Sequence, residues 1–348
     1  MKALTFLQKE TIGYQSVPDP GIEDPGDAIV KVHLTAICGS DLHVYHEREK
    51  GLDSGTVMGH EFLGEIVEAG GEVGSFKRGD VVLSPFTTNC GGCFYCRLGL
   101  TSRCPQGQFF GWVEKGAGLQ GAQAEYVRVP MADSTLLGLP ENVLPEEALL
   151  LGDILSTGFF CAHMAEVAPG GVYAVLGCGP VGLLAILGAR EGGAEKIYAL
   201  DSIPERLDRA ERFGATPVDY QREDAPAILR EASEGRGADA VLELVGSPAA
   251  SRLGIDLVRP GGILAVAGVH CESDFAFSPV DAYDKNLTYR TGRCPARRYM
   301  ERLVPLVQKK KYDITSVVSH RLPLEDGVRG YDLFARKREN CCKVVLEP

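Results

Sequence analysis

Residues 89–104, NCGGCFYCRLGLTSRC, hold four cysteines spaced C-x2-C-x2-C-x7-C. Four thiolates at that spacing can close tetrahedrally around one zinc ion, and an ion so enclosed has no open position for a substrate. Cys90, Cys93, Cys96 and Cys104 are therefore expected to hold a structural zinc, with Arg97 and Arg103 offsetting part of the anionic charge. A disulfide or an iron–sulfur cluster is the competing use of such thiols.

A second constellation lies in VYAVLGCGPVG, where Gly177, Gly179 and Gly182 form G-x-G-x-x-G, with Pro180 and Val181 completing the turn. The first glycine permits a tight turn, the second lets a pyrophosphate reach the backbone, and the third lets a helix pack on its strand. Phosphate charge then meets a helix N-terminus. Alone the pattern is weak, since any glycine-rich turn can match it. The next apolar run, KIYAL, ends in Asp201, nineteen residues beyond Gly182. An acid at that place accepts from the adenosine ribose hydroxyls and repels a 2′-phosphate, which favours NAD over NADP. Arg206 is either a solvated helix residue or a group that stacks on adenine or meets a phosphate.

A third set is scattered. AICGSDLHVYH, TVMGHEFLGEIV and LLGDILSTGFF contain Cys38, His60 and Asp153, which spacing alone does not join. Singly they read as a buried thiol, a satisfied core histidine and a helix-capping aspartate.

The elements that would position these groups fall into two textures. Up to about residue 150, short apolar runs such as AIVKVHLTAI and DVVLSP alternate with PDPGIEDPGD, EAGGEV and CGGC, as expected of strands broken by turns. From about residue 170, VYAVLG, KIYALD, DAVLELVG and GILAVAGV are continuous apolar runs, the pattern of parallel strands buried on both faces. Helical patterns lie between them: PVGLLAILGAREGG, IPERLDRAERFGA, APAILREASEGRG and SPAASRLGIDLVRPGG. This alternation predicts a doubly wound α/β domain, closed by NLTYRTG and followed by a helix, ARRYMERLVPLVQKKKYD, and a terminal strand, CCKVVLEP. A length of 348 residues calls for two domains. The net charge of −11 argues against a nucleic-acid partner. No apolar run is long enough to span a membrane, and the start, MKALTFLQKETIGYQ, lacks the features of a signal peptide, so a cytoplasmic protein with reduced thiols is expected.

Taken together, CGSDLH, GHE, the four spaced cysteines, GDILSTG, GCGPVG and the KVVLEP ending resemble, in the same order and over nearly the whole chain, the zinc-dependent medium-chain alcohol dehydrogenases. The resemblance implies a β-rich GroES-like catalytic domain over 1–152, a Rossmann NAD-binding domain over 153–288, and a segment over 289–348 that returns to the catalytic domain. It makes Cys38, His60 and Asp153 ligands of a catalytic zinc with one open position, and the cysteine lobe the site of a second zinc. The horse-liver type of the family has cysteine where Asp153 stands; a carboxylate keeps the charge but is a harder, less donating ligand, leaving the metal more Lewis acidic. Glu61 is implied beside the metal, supporting it or entering its shell, and Asp41 as the partner that orients the ligand histidine. Ser40 and His43 match the family's proton relay, and Thr157 a cofactor contact.

The implied reaction is reversible NAD-linked oxidation of a primary or secondary alcohol to an aldehyde or ketone. Tyr45, Phe86, Phe110 and Trp112 are candidate substrate-pocket walls. The GDILSTG wording also resembles threonine, polyol and formaldehyde dehydrogenases, although formaldehyde-dismutating members are longer. A zinc- and NAD-binding protein without catalysis is the alternative from another class, and no ligand or relay residue is missing to favour it. The resemblance further implies a homotetramer built by edge-strand pairing, with GILAVAGV and NLTYRTG as candidate edges.

Overall fold

VYAVL has no polar position to spare for solvent, and in the computed structural model, which describes residues Met1–Pro348, all five residues of the strand Val172–Leu176 are buried. It is the first strand of a six-stranded, wholly parallel sheet. The spatial order is Thr216–Asp219, Lys196–Asp201, Val172–Leu176, Ala238–Glu243, Val258–Val266, Thr288–Thr291. The chain works outward from Val172–Leu176 in one direction, then returns to its other side, so the order reverses between that strand and Ala238–Glu243. This is the doubly wound arrangement, and its switch point is where open α/β sheets bind ligands. Helices Pro180–Glu191, Pro204–Arg212, Ala225–Ala232 and Pro248–Leu257 alternate with the strands. Each begins with proline in its first turn, where the missing N–H has no intrahelical partner to lose.

Two expectations are corrected here, and one strand is added. GILAVAGV is not an edge, because Val258–Val266 lies between Ala238–Glu243 and Thr288–Thr291. The helix read through SPAASRLGIDLVRPGG stops at Leu257, and VRPGG opens the next strand. Thr216–Asp219 forms an edge strand that its short, proline-bearing sequence, TPVD, did not announce; proline is tolerated there because an edge residue needs no donor on its open side.

Contacts divide the chain into two compact units, residues 157–294 with this sheet, and residues 1–156 with 295–348. The second unit is β-rich. Its seven-stranded sheet runs Val318–Pro323, Lys343–Glu347, Ala28–Ile37, Phe62–Ala69, Val81–Leu83, Leu137–Gly138, with Tyr126–Val129 also paired to Ala28–Ile37. The C-terminal strand lies antiparallel to Ala28–Ile37 with Val344 opposite Ile37, while Phe62 lies opposite Thr35 on the other flank. One end of this sheet therefore collects the residue after Ile37, the residues before Phe62 and the residue before Val344: Cys38, His60, Glu61 and Lys343.

Candidate active site and metal centres

At that sheet end, ligand atoms of Cys38, His60, Glu61 and Asp153 all lie within 4.8 Å of one another, and all four residues are buried. Cys38 Sγ is 3.4 Å from Asp153 Oδ2, which is 3.5 Å from His60 Nε2. The other ring nitrogen, Nδ1, is 3.1 Å from Asp41 Oδ1, so the carboxylate holds the proton on Nδ1 and leaves Nε2 as a donor of electrons toward the cluster. Asp41 is itself fixed by the Cys38 N–H at 2.9 Å and the Gln123 amide at 3.2 Å, and the Tyr331 hydroxyl donates to Gln123 at 2.8 Å. Ser40 Oγ sits 3.1 Å from His60 Nε2. His43, one turn further along the helix Asp41–Tyr45, is half-buried.

The electrostatics of this cluster fit a divalent cation. Burial pushes the Cys38 thiol up to about 11, and the Asp153 and Glu61 carboxylates push the same way. A thiolate at Cys38 thus needs a cation beside it. Four potential anions, Cys38, Asp41, Glu61 and Asp153, face one fixed cation, Lys343, whose ammonium pairs with Glu61 Oε1 at 1% exposure. Burial works against that ammonium, but Glu61 and its neighbours hold its pKa above the ordinary value. Glu61 Oε2 is buried with no hydrogen-bond partner. A carboxylate with one orphaned oxygen, grouped with a thiol, an imidazole and a second carboxylate, makes a donor set suited to zinc.

The aromatic expectations divide. Phe86 lies edge-on to His60 with ring centroids 6.4 Å apart. Phe110 is fully buried against Phe62 in the sheet's core and faces away from the cluster. Its neighbour Phe109, not anticipated, packs 5.2 Å from His60 and 5.9 Å from Phe86, because adjacent extended residues point to opposite sides. Tyr45 and Trp112 pack against the core beneath Tyr331. Lys343 and Gln123 were also missed; nothing local to either marks it as part of a site.

The cysteine lobe is a separate centre. The sulfurs of Cys90, Cys93, Cys96 and Cys104 also lie within 4.8 Å of one another, and none of the chain's cysteines is disulfide-bonded. Cys93 caps the short helix Phe94–Arg97 by accepting the Cys96 N–H, and Cys104 Sγ accepts the Cys90 N–H at 3.3 Å. Against burial, the N–H groups of Gly92 and Cys93 bring the Cys90 thiol down to about 7. A sulfur already favoured as thiolate, among three others, fits a four-coordinate zinc.

In the other unit, Gly177 turns at φ +89° and Gly179 precedes the helix Pro180–Glu191. A Cβ at Gly182 would fall 1.8 Å from the Gly177 carbonyl oxygen, so only glycine lets the helix start this close to the turn. Asp201 is nearly buried; its carboxylate accepts the N–H groups of Cys178, Ser202 and Ile203 at 2.8–3.1 Å, and Arg206 stands 3.7 Å away. The fixed carboxylate retains lone pairs for a ribose hydroxyl. Thr157 lies in the helix Ile154–Met164.

Two family models match the chain: the alcohol dehydrogenase GroES-like domain over residues 24–141 and the zinc-binding dehydrogenase domain over residues 180–309. The zinc-type alcohol dehydrogenase B of Aspergillus flavus is 42% identical over 96% of this chain and 78% of its own length. The NADP-dependent isopropanol dehydrogenase of Thermoanaerobacter brockii is 34% identical, with 99% of each chain covered. Among solved structures, alcohol dehydrogenase TADH from Thermus sp. ATN1 superposes with a TM-score of 0.93 at 41% identity, covering 100% of this chain and 99% of that one.

Proposed function

The chain belongs to the zinc-dependent medium-chain alcohol dehydrogenases, and from that premise we propose that it catalyses reversible, NAD-linked oxidation of a primary or secondary alcohol to an aldehyde or ketone. The observation that carries this reading is the buried convergence of Cys38, His60 and Asp153 beside the unpaired oxygen of Glu61. When bound, zinc supplies Lewis acidity at the substrate oxygen and NAD supplies a hydride acceptor.

The chain's own residues do the rest. Cys38, His60 and Asp153 hold the metal, and Asp41 keeps the imidazole in the ligating tautomer. Ser40, beside His60, takes the substrate hydroxyl proton into hydrogen bonding, and His43 hands it to solvent. Lys343 holds Glu61 beside the cluster through Oε1 and leaves its second oxygen without a hydrogen-bond partner. The rings of Phe86 and Phe109 exclude water on one side of His60 and favour an apolar alcohol over a polyol. Cys90, Cys93, Cys96 and Cys104 hold a second, structural zinc. Gly177, Gly179, Pro180, Val181 and Gly182 seat the pyrophosphate, and Thr157 contributes a cofactor contact.

The choice of NAD rests on Asp201, with Arg206 too close to that carboxylate to act as an unpaired phosphate anchor. A relative described as NADP-dependent makes this a point to measure. Metal analysis with an alcohol panel and both cofactors tests the whole reading. Two zincs per chain and preference for NAD are expected; Cys38→Ala should lose one zinc and all turnover while still binding NAD. Turnover in metal-free protein would overturn the metal mechanism, and equal efficiency with NADP would overturn the role of Asp201.

A further inference from the structure

One buried acid on the C-terminal rim of the parallel sheet is accounted for by neither the glycine turn nor Asp201. Glu243 ends the strand Ala238–Glu243 with no exposure. Its Oε1 accepts the N–H groups of Val245 at 2.7 Å and Gly246 at 2.8 Å, and its Oε2 lies 3.2 Å from His270 Nε2. The same nitrogen is 3.4 Å from Ser251 Oγ on the helix Pro248–Leu257. The loops carrying these contacts pack backbone on backbone. A Cβ at Gly246 would fall 2.2 Å from the Val269 carbonyl oxygen, and one at Gly268 2.2 Å from the Gly246 nitrogen. The first loop also meets the glycine turn, since a Cβ at Gly177 would lie 2.7 Å from Val245 Cγ2. His270 therefore ties together the two loops beside the turn, at the switch point of the sheet.

We propose that His270 is a positioning residue for the dinucleotide, cancelling the charge of Glu243 and clamping the 244–247 and 267–270 loops beside the glycine turn, so that its protonation couples cofactor affinity to pH. This rests on the reading of Gly177, Gly179 and Gly182 as the dinucleotide site.

The surroundings favour the proton. The hydrogen bond to Glu243, against partial burial, raises the His270 pKa above its ordinary value, and Glu272 in the same loop adds to the effect. Ser251 contributes no charge. Two further groups sense Glu243: Cys161, kept a thiol by burial and then by Glu243, and Tyr289, whose pKa burial also raises. Neither ionises near neutrality. Arg252, on the same helix as Ser251, is paired with Asp256 and Asp281. A protonated His270 leaves Glu243 neutralised, whereas a neutral one leaves a carboxylate charge near the pyrophosphate. At the effective dielectric of a protein surface that difference weakens binding on the order of 3- to 10-fold.

The test is titration of the zinc-loaded enzyme with NADH, followed by nicotinamide fluorescence, from about pH 5.5 to about pH 9 so as to span the ordinary histidine value. Wild-type affinity should fall by roughly 3- to 10-fold as pH rises through the raised His270 pKa. His270→Gln should bind weakly at every pH without that step, and His270→Lys, a permanent cation, tightly at every pH. Titration at the metal site is common to all three proteins and cancels in their ratios. Parallel profiles for wild type and His270→Gln overturn the inference. Should His270→Gln fail to fold in a thermal scan, a His270→Lys profile parallel to wild type overturns it equally. Absence of binding of both NADH and NADPH by wild type at any pH would overturn the dinucleotide reading itself, and this inference with it.

Discussion

Glu61 is a carboxylate with no exposure, and its single fixed partner is the ammonium of Lys343. Removing one member of a buried pair leaves the other charge without compensation, whereas removing both is far less damaging. Lys343→Met is expected to lower the stability of the zinc-loaded protein by about 3–5 kcal/mol, read from denaturant midpoints. The double variant Glu61→Gln/Lys343→Met should recover most of that loss. A single and a double variant of equal stability would mean that the pair is not the relevant unit. His60 illustrates the same scale from the polar side: its tautomer is set by Asp41, which is held in turn by Gln123 and Tyr331. None of these three is a ligand, yet together they orient one.

At the scale of elements, the cysteine lobe is a short helix and a turn with little apolar packing of its own, and Phe94, Leu98 and Leu100 are exposed. On the proposed reading, its order would depend on four sulfurs being held by one ion. Cys104→Ala should lose one zinc per chain and lower the melting temperature, with kcat less affected than by Cys38→Ala. Loss of both zincs would show that the two centres are not independent. In the parallel sheet, Asp239 ties neighbouring strands by accepting the Val172 N–H at 2.8 Å and pairing with Arg259 at 2.7 Å. Against burial, these donors hold its carboxyl below the usual range. A depressed folded-state pKa contributes stability above the unfolded value, about 3.9, and loses it as pH falls through the folded value. The stability gap between wild type and Asp239→Asn should thus be constant near neutrality and shrink below about pH 4. A gap that widens in acid would assign the stabilisation elsewhere.

At the scale of the whole molecule, the strand Thr288–Thr291 leaves one side of the parallel sheet unpaired, and exposed Phe275, Val280 and Tyr283 lie in the segment just before it. An open edge with apolar neighbours is a surface for another strand. A homotetramer assembled through this edge is expected, and light scattering that returned the 37.4 kDa mass of one chain would exclude it. Motifs whose geometry is local were legible from residue order. C-x2-C-x2-C-x7-C needs only a helical turn and a loop to converge, and the glycine turn with Asp201 needs only a strand, a turn, a helix and the adjacent strand. The strand–helix alternation that places the turn was legible for the same reason, since burial on both faces writes itself into continuous apolar runs. Cys38, His60 and Asp153 came from family resemblance; their separation carries no geometric information without a fold. Lys343, 282 residues from Glu61, joins the cluster only because the last strand pairs with Ala28–Ile37 in the register that sets Val344 against Ile37. Phe109 rather than Phe110 faces His60 because of the side of the chain on which each falls, and His270 meets Glu243 because two loops from neighbouring strands pack together. Residue order was enough to read the chemistry available and the elements that carry it, because short-range backbone geometry is written in spacing. The tertiary structure decided which distant groups share a charge or a proton, because strand register and loop packing depend on what pairs with what.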